Sequence, residues 1–330
     1  MSNTERTPQS PPIIAPLQDD IERLLWSVMI PAYNCIHYLE ATILSVLQQD
    51  RGKEKMQIEV VDDCSTDGDV KALVMKIGKG RVGYYRQKKN VGSLRNFETC
   101  INRAKGHYIH LFHGDDMIVN GFYEEIVMLF AEYPQIGAAF TDYEYMDDNG
   151  ERMWSNIKVN EPRGVIKGFL KKIGANQLLQ TVAIVVKRST YEKLGSFYGV
   201  HYGEDWEMWA RIAANYPVAY SPKVLAKYRV HKNNITFNSL TSGQNLKDIA
   251  KVINTIESYL PKNEAHKITS VARKNFSQYY ARIAHEVYHH NYDIPGALAQ
   301  TKGALKLDVN LVSVMQALKM YTKLLIKYKN

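Results

Sequence analysis

Four polar clusters in the first 120 residues carry the side chains that could do chemistry, and each follows a short apolar run. They are Pro31-Ala32-Tyr33-Asn34, Asp62-Asp63-Cys64-Ser65-Thr66-Asp67, Asn90-Val91-Gly92-Ser93-Leu94-Arg95-Asn96 and His113-Gly114-Asp115-Asp116. Tyr33 can lie against a flat base, and the Asp63 carboxylate can accept from a pyrimidine N–H. Gly92 and a helix start near Ser93 can offer backbone N–H groups to a diphosphate, and Arg95 can add a cation. The adjacent carboxylates Asp115 and Asp116 suit a hard divalent cation, Mg²⁺ or Mn²⁺. Such an ion would share charge with a diphosphate and improve it as a leaving group. Asp116 has a second reading, as a helix N-terminal cap.

A fifth cluster lies downstream, at Tyr202-Gly203-Glu204-Asp205-Trp206-Glu207-Met208-Trp209-Ala210-Arg211. Carboxylates at a helix start are favoured on electrostatic grounds alone, so Glu204 and Asp205 can be capping residues. Trp206 and Trp209, however, put an apolar wall beside Asp205. A carboxylate in that setting shifts to higher pKa and can serve as a general base. Tyr228-Arg229-Val230-His231 closes the series. His231 can ligate metal or touch phosphate, although a lone histidine is more often structural.

Strands and helices must position these groups. Leu24–Ile30, Gln57–Val61, Arg81–Tyr85, Tyr108–Phe112 and Ile136–Phe140 read as strands. Between them Tyr38–Gln48, Val70–Ile77, Leu94–Ala104 and Gly121–Tyr133 have helical spacing. This rhythm predicts an α/β fold with a mostly parallel sheet and helices on both faces. In such sheets ligands bind beyond the carboxyl ends of the strands, where all four clusters fall. Further on, Asp147-Asp148-Asn149-Gly150 marks a hairpin between Phe140–Met146 and Met153–Val159. Val182–Val186 and Val224–Val230 read as strands, Glu204–Asn215 as a helix, and the chain after about 240 as helical, broken at 292–296. The Pro-, Ser- and Thr-containing stretch 1–21 reads as a flexible tail. The expected division is therefore 1–21, a catalytic domain at 22–238, and a basic helical region at 239–330.

The 330 residues carry a net charge of +8. Residues 241–330 hold 13 Lys/Arg against 6 Asp/Glu, a net of +7, so the basicity belongs to the helical region. In Leu311–Ile326 the apolar residues 311, 314, 315, 318, 321 and 325 form a stripe, with Lys319, Lys323 and Lys327 beside it. It reads either as a docked helix or as an attachment to an anionic membrane surface. No recognised nucleic-acid-binding motif accompanies the charge, so no nucleic-acid partner is expected. No run of eighteen apolar residues spans a bilayer, and the N-terminus has no secretory signal. The three cysteines, Cys35, Cys64 and Cys100, make neither a metal pattern nor a disulfide framework. That fits a reducing compartment, and a cytoplasmic protein, peripheral at the inner membrane face, is the expectation.

The series SVMIPAYN, EVVDDCSTDGD, NVGSLRN, GHYIHLFHGDDM, GEDWEMWAR and YRVHKNNIT resembles the family 2 glycosyltransferases of the GT-A (Rossmann-like) fold, over residues 24–235. The resemblance implies an inverting enzyme that moves a sugar from a nucleoside-diphosphate donor, UDP by default, to a glycan, lipid-linked or protein acceptor. By resemblance Pro31, Tyr33, Asn34 and Asp63 hold base and ribose, and Arg95 lies near the donor phosphates. Asp115 is the metal carboxylate of the DxD-type motif, with Asp116 beside it. Asp205, paired with Glu204, is the catalytic base, and His231 closes the site at metal or diphosphate. One departure is His113, which stands where the family commonly has the first acid of Asp-x-Asp-Asp and which then faces the ribose or a metal-bound water.

Two other classes compete. A nucleotidyltransferase would want a glycine- and arginine-rich loop with a lysine after the first strand, where Pro31-Ala32-Tyr33-Asn34 stands. An inactive GT-A-fold binding module would have lost the metal acid or the base, yet Asp115 and Asp205 are both present. No GxGxxG follows the first strand, against a dinucleotide-binding dehydrogenase.

Overall fold

The computed structural model describes residues 3–18, 23–156, 159–231 and 235–326. The chain divides into two compact units. The first comprises Met1–Phe169, Leu178–Gly199 and Asn215–Val230. The second comprises Leu170–Gln177, Val200–Ala214 and His231–Asn330.

The first unit is built on one sheet. Its strands are β1 (Leu24–Ala32), β2 (Met56–Asp62), β3 (Gly83–Arg86), β4 (Gly106–Leu111) and β5 (Met117–Ile118). They continue with β6 (Ala138–Met146), β7 (Arg152–Asn156), β8 (Gly164–Val165), β9 (Ile184–Lys187) and β10 (Val218–Arg229). The spatial order is β3-β2-β1-β4-β9-β6-β10-β5, with β7 on β6 and β8 on β10. The first four of that order are parallel. From Trp26 onward every residue of β1 is buried, which is why its sequence runs apolar without alternating. Chain order reverses at β1, because β2 lies on one side and β4 on the other. The crevice beyond the carboxyl ends of β1 and β4 is thus a topological switch point. Gly106 lets these two strands approach: a Cβ there would sit 2.4 Å from the Trp26 backbone carbon.

The second half of the sheet is mixed. The run 182–186 expected as a strand opens as a 3-10 turn, Thr181–Ala183, and becomes β9 at Ile184. β9 lies antiparallel between β4 and β6. The two stretches 136–140 and 140–146 form the single strand β6, parallel to β10. The expected hairpin is present between β6 and β7, closed by Asp147 Oδ1 accepting from the amides of Asn149 and Glu151, both at 2.9 Å. Residues 157–158 of its second arm lie outside the described residues.

The stretch expected to be a flexible tail is in large part packed. Ile14 is fully buried, and the amides of Ser196 and Gly199 donate to the carbonyls of Pro12 at 2.9 Å and Pro8 at 2.8 Å. Arg188 Nη2 donates to Ala15 O at 3.0 Å. Pro8, Pro11 and Pro12 have fixed φ, so ordering this segment costs little entropy, and Ile14 supplies an apolar anchor. Residues 19–21 lie outside the described residues.

The second unit is helical, as expected after about 240. Its helices are Phe169–Ala175, Glu204–Asn215, Ile235–Ser242, Gln244–Tyr259, Ala265–Asn291, Ile294–Leu307 and Leu311–Leu325. The break at 292–296 has a physical cause. Tyr292 turns into the left-handed region, and Asp293 caps the next helix at Gly296 N, 2.9 Å away. Among the described residues no helix is long and apolar enough to cross a membrane.

Candidate active site

The loops after β1 and β2 are stitched together by their own polar side chains. Asn34 takes a left-handed backbone conformation, which Asn tolerates well. Its amide donates to Ser65 Oγ at 3.1 Å, and its Oδ1 accepts from Thr66 N at 2.8 Å. Pro31 sits within β1 opposite Val61, and Tyr33, just beyond the strand, is exposed. A flat ring at the mouth of a switch point is free to stack on a ligand.

Asp62 and Asp63 face different partners, as neighbours on an extended backbone must. Burial works against ionisation of Asp62, but hydrogen bonds from Ser65 and Tyr84 and the charge of Arg86 outweigh it and hold the carboxyl low. Asp63 is buried and accepts from Val91 N at 2.7 Å, Gly92 N at 2.9 Å and Asn90 Nδ2 at 2.9 Å. Of the amides expected to be offered to a diphosphate, that of Gly92 donates to Asp63, which with Val91 and Asn90 fixes the 90–92 loop. Burial raises the Asp63 carboxyl and these two amides oppose it. Arg6 of the N-terminal segment reaches the same loop at Asn90 Oδ1. Arg95, on the first turn of the helix Ser93–Arg103, pairs with Glu98 at 2.7 Å, and its Nε donates to Glu5 O at 2.9 Å.

The loop after β4 holds the acidic cluster. Ligand atoms of His113, Asp115 and Asp116 all lie within 4.8 Å of one another. His113 stacks on Phe97, ring centroids 5.3 Å apart. Its Nε2 is covered and has no hydrogen-bond partner, nor has Asp116 Oδ2. Burial pushes the His113 imidazole down, towards the neutral form that binds metals, and pushes Asp116 up, with Asp115 adding to the rise. Two buried polar atoms without partners, beside a second acid, fit a divalent cation: one neutral nitrogen and carboxylate oxygens make a reasonable donor set. Asp116 Oδ1 accepts from Arg229 N at 2.9 Å, so its cap is a strand amide rather than a helix start. Nearby His110 is a core residue instead, with Nε2 3.0 Å from Val182 O and a pKa driven to about 3 by burial.

Arg229 is the residue that sequence reasoning missed here. Its Nε donates to Asp115 O at 2.8 Å, and its Nη1 to the carbonyls of Asp147 at 2.9 Å and Asp148 at 2.8 Å. The guanidinium lies over the Tyr38 ring, 4.9 Å from its centroid. One side chain therefore ties the end of β10, the acidic loop and the β6–β7 turn. The available signal was an arginine at the end of a strand otherwise read for its histidine, His231.

In the second unit, Gly203 at φ +85° opens the helix Glu204–Asn215, and a Cβ there would also press Ile249 at 3.1 Å. Asp205 Oδ1 accepts from Trp206 N at 2.7 Å, and Oδ2 from Gln177 Nε2 at 2.8 Å. Burial raises Asp205 to about 6, against the pull of these donors, and raises Glu204 well above the usual range, with Asp205 as the next cause. The neighbouring helical turn is rigid: Trp206 Nε1 donates to Ile173 O at 2.6 Å, and Glu207 is held by Arg211 and Tyr259. Gln177 is the other partner that sequence reasoning missed.

A mostly parallel sheet with an acidic cluster at its switch point, followed by helices, is the GT-A arrangement. Residues 27–195 match the family model "Glycosyl transferase family 2", and the chain belongs to that family. Among curated relatives, a Rickettsia bellii glycosyltransferase is 28% identical over 213 residues, 64% of this chain. The match spans only 29% of that longer protein. TuaG of Bacillus subtilis, whose name places it in teichuronic acid biosynthesis, is 27% identical over 65% of this chain and 82% of its own length. The solved structure of S. aureus TarS 1–349 with UDP-GlcNAc superposes with a TM-score of 0.65 at 13% identity, covering 90% of this chain and 89% of that one. The mannosyltransferase PcManGT of Pyrobaculum calidifontis, with GDP-Man and Mn²⁺, gives a TM-score of 0.56 at 18% identity over 96% and 84%. At these identities the structural likeness speaks for the fold.

Proposed function

We propose that this glycosyltransferase moves a sugar from a nucleoside diphosphate, UDP in the first instance, to an acceptor hydroxyl with inversion, in cell-surface glycan or polysaccharide assembly. The observation that carries the reading is the cluster of His113, Asp115 and Asp116 at the switch point, with covered polar atoms on His113 and Asp116 awaiting a partner. The teichuronic acid relative and the nucleotide-sugar complexes of the structural neighbours support the acceptor and donor classes.

Asp115, Asp116 and His113, with His231 from the following segment, would hold Mn²⁺ or Mg²⁺. A bound divalent ion supplies positive charge against the donor diphosphate. Pro31, Tyr33, Asn34 and Asp63 frame the base and ribose, and Arg95 and Glu204 complete the substrate-binding set. Asp205 accepts the proton of the acceptor hydroxyl as that oxygen forms its bond to the anomeric carbon. The bond from that carbon to the phosphate oxygen breaks, and the nucleoside diphosphate leaves with the electron pair. One displacement inverts the anomeric centre, and no enzyme nucleophile takes part.

A panel of UDP-, GDP- and dTDP-sugars tests the reading, scored by donor hydrolysis and by melting shift with and without Mn²⁺. UDP-sugars should raise the melting temperature most, and only with Mn²⁺ present. No shift with any nucleotide sugar in either condition contradicts it.

A further inference from the structure

The helix Leu311–Leu325 has two contrasting faces. Ser313, Ala317 and Met320 are buried against its own unit. Successive residues advance about 100° around a helix. Leu311, Met315, Leu318 and Leu325 therefore fall on one stripe, with Thr322 among them. Leu311 is 76% exposed, Leu318 62% and Leu325 84%, and Met315 and the following Ile326 are exposed as well. Large aliphatic side chains this open, in register over four turns, are unusual on a folded surface and mark an interaction face.

The charge beside the stripe says what it meets. Lys319 is exposed about 80° from the stripe's centre, and Lys323 lies one turn on, with its Nζ 2.6 Å from His289 Nε2. Between Val309 and Ile326 there is no aspartate or glutamate, inside a region whose net charge is +7. Exposed Tyr321 sits on the opposite flank, where an amphipathic ring suits a headgroup boundary. An aliphatic stripe with lysines along one flank, an aromatic ring on the other and no acid on the helix matches acyl chains beneath anionic headgroups. We infer that this helix docks the protein, lying in the plane of the interface, on a bilayer surface rich in anionic lipid. The inference is independent of the sugar-transfer reading, since it rests on the second unit alone.

Flotation of the full chain with vesicles tests it, using pure phosphatidylcholine and a mixture with 40 mol% phosphatidylglycerol as an experimental setting of about that composition. At low salt the bound fraction on the anionic vesicles should exceed that on neutral ones at least about tenfold, and 0.5 M salt, of that order, should erase most of the difference by screening. Leu318→Glu with Leu325→Glu should abolish binding. Lys319→Glu should weaken it at least about fivefold, the effect of one interfacial lysine. All three positions are exposed, so melting temperatures should match wild type, and nucleotide-induced melting shifts should be unchanged. Equal or absent binding to both vesicle types overturns the inference. So does a concentration-dependent dimer, seen without lipid by sedimentation, that Leu318→Glu with Leu325→Glu dissociates, because the stripe would then face a second copy.

Discussion

The backbone amide of Arg229 donates to Asp116 Oδ1 at 2.9 Å while its Nε donates to the carbonyl of Asp115 at 2.8 Å. The last residue of β10 thereby holds both acids of the candidate metal cluster, one through each of two different groups. Because the guanidinium also serves the carbonyls of Asp147 and Asp148, no smaller or apolar side chain can reproduce the set.

Arg229→Met keeps the stem and the amide but strips these three carbonyls of their donor. A buried carbonyl left unsatisfied costs about 1–3 kcal/mol; these three are only part-buried, so each costs less and the loss is their sum. Urea denaturation should show a loss of at least about 2 kcal/mol, at the middle of that range. Calorimetry with UDP and Mn²⁺ should show weaker binding even where the variant remains folded. Unaltered binding in a destabilised variant would assign Arg229 to the fold alone.

Asp115→Asn removes a carboxylate from the cluster with little change of shape. The metal-dependent part of UDP binding should disappear, so that the variant with Mn²⁺ binds UDP no better than wild type does in EDTA. Wild-type turnover in excess EDTA would mean that the cluster does not serve a metal.

As the proposed base, Asp205 should tie activity to pH. Burial holds its carboxyl at about 6, above the ordinary 3.8. A base must be ionised to accept a proton, so transfer should be full above pH 6 and fall about tenfold per unit below it. The stability effect has the opposite sign. Its folded pKa exceeds the unfolded one, so its contribution is fully present below about 3.8 and is lost as pH rises through about 6. Asp205→Asn should therefore melt no lower than wild type at neutral pH, bind UDP normally, and lose transfer by at least about a hundredfold. Glu204→Gln should lose less, since helix neighbours point about 100° apart. Near wild-type transfer by Asp205→Asn places the base elsewhere.

Gly106→Ala tests the β1–β4 junction. The added methyl would meet main-chain atoms of Trp26 and Ser27 at 2.4–2.9 Å, and main chain cannot swing aside as a side chain can. Overpacking of this kind costs about 1–3 kcal/mol. The expectation is the upper end by urea denaturation, with UDP affinity falling too, because Met29 and Phe112 pair just before the site. A neutral substitution would mean that the strands can separate at no cost.

Much of the sheet was legible because buried parallel strands and amphipathic helices write their periods locally. β1, β2 and β4 and the clusters after them fall where the apolar runs end. The hairpin at 147–150 was legible because Asp147 and Gly150 make a turn from their own side chains and backbone. What periodicity does not encode is partner choice. The run at 182–186 signalled a strand, but its antiparallel insertion between β4 and β6 depends on residues dozens of positions away. Asp63 shows the same limit within the site. Its residue type suggested a base-binding acceptor; that its oxygens also take the amides of Val91 and Gly92 is what no local pattern reveals. Composition misled at the N-terminus, where prolines that suggest disorder also favour a rigid segment anchored by Ile14.

That N-terminal segment also sets a timetable for synthesis. Its carbonyls at Pro8, Pro12 and Ala15 are met by donors from Arg188, Ser196 and Gly199, so these residues wait for partners made some 180 residues after them. At about 5–20 residues per second the wait is on the order of ten seconds or more. Through that interval Ile14, fully buried in the folded chain, is uncovered and open to chaperones. The segment is thus among the last parts of the first unit to be secured, although it is made well before its partners.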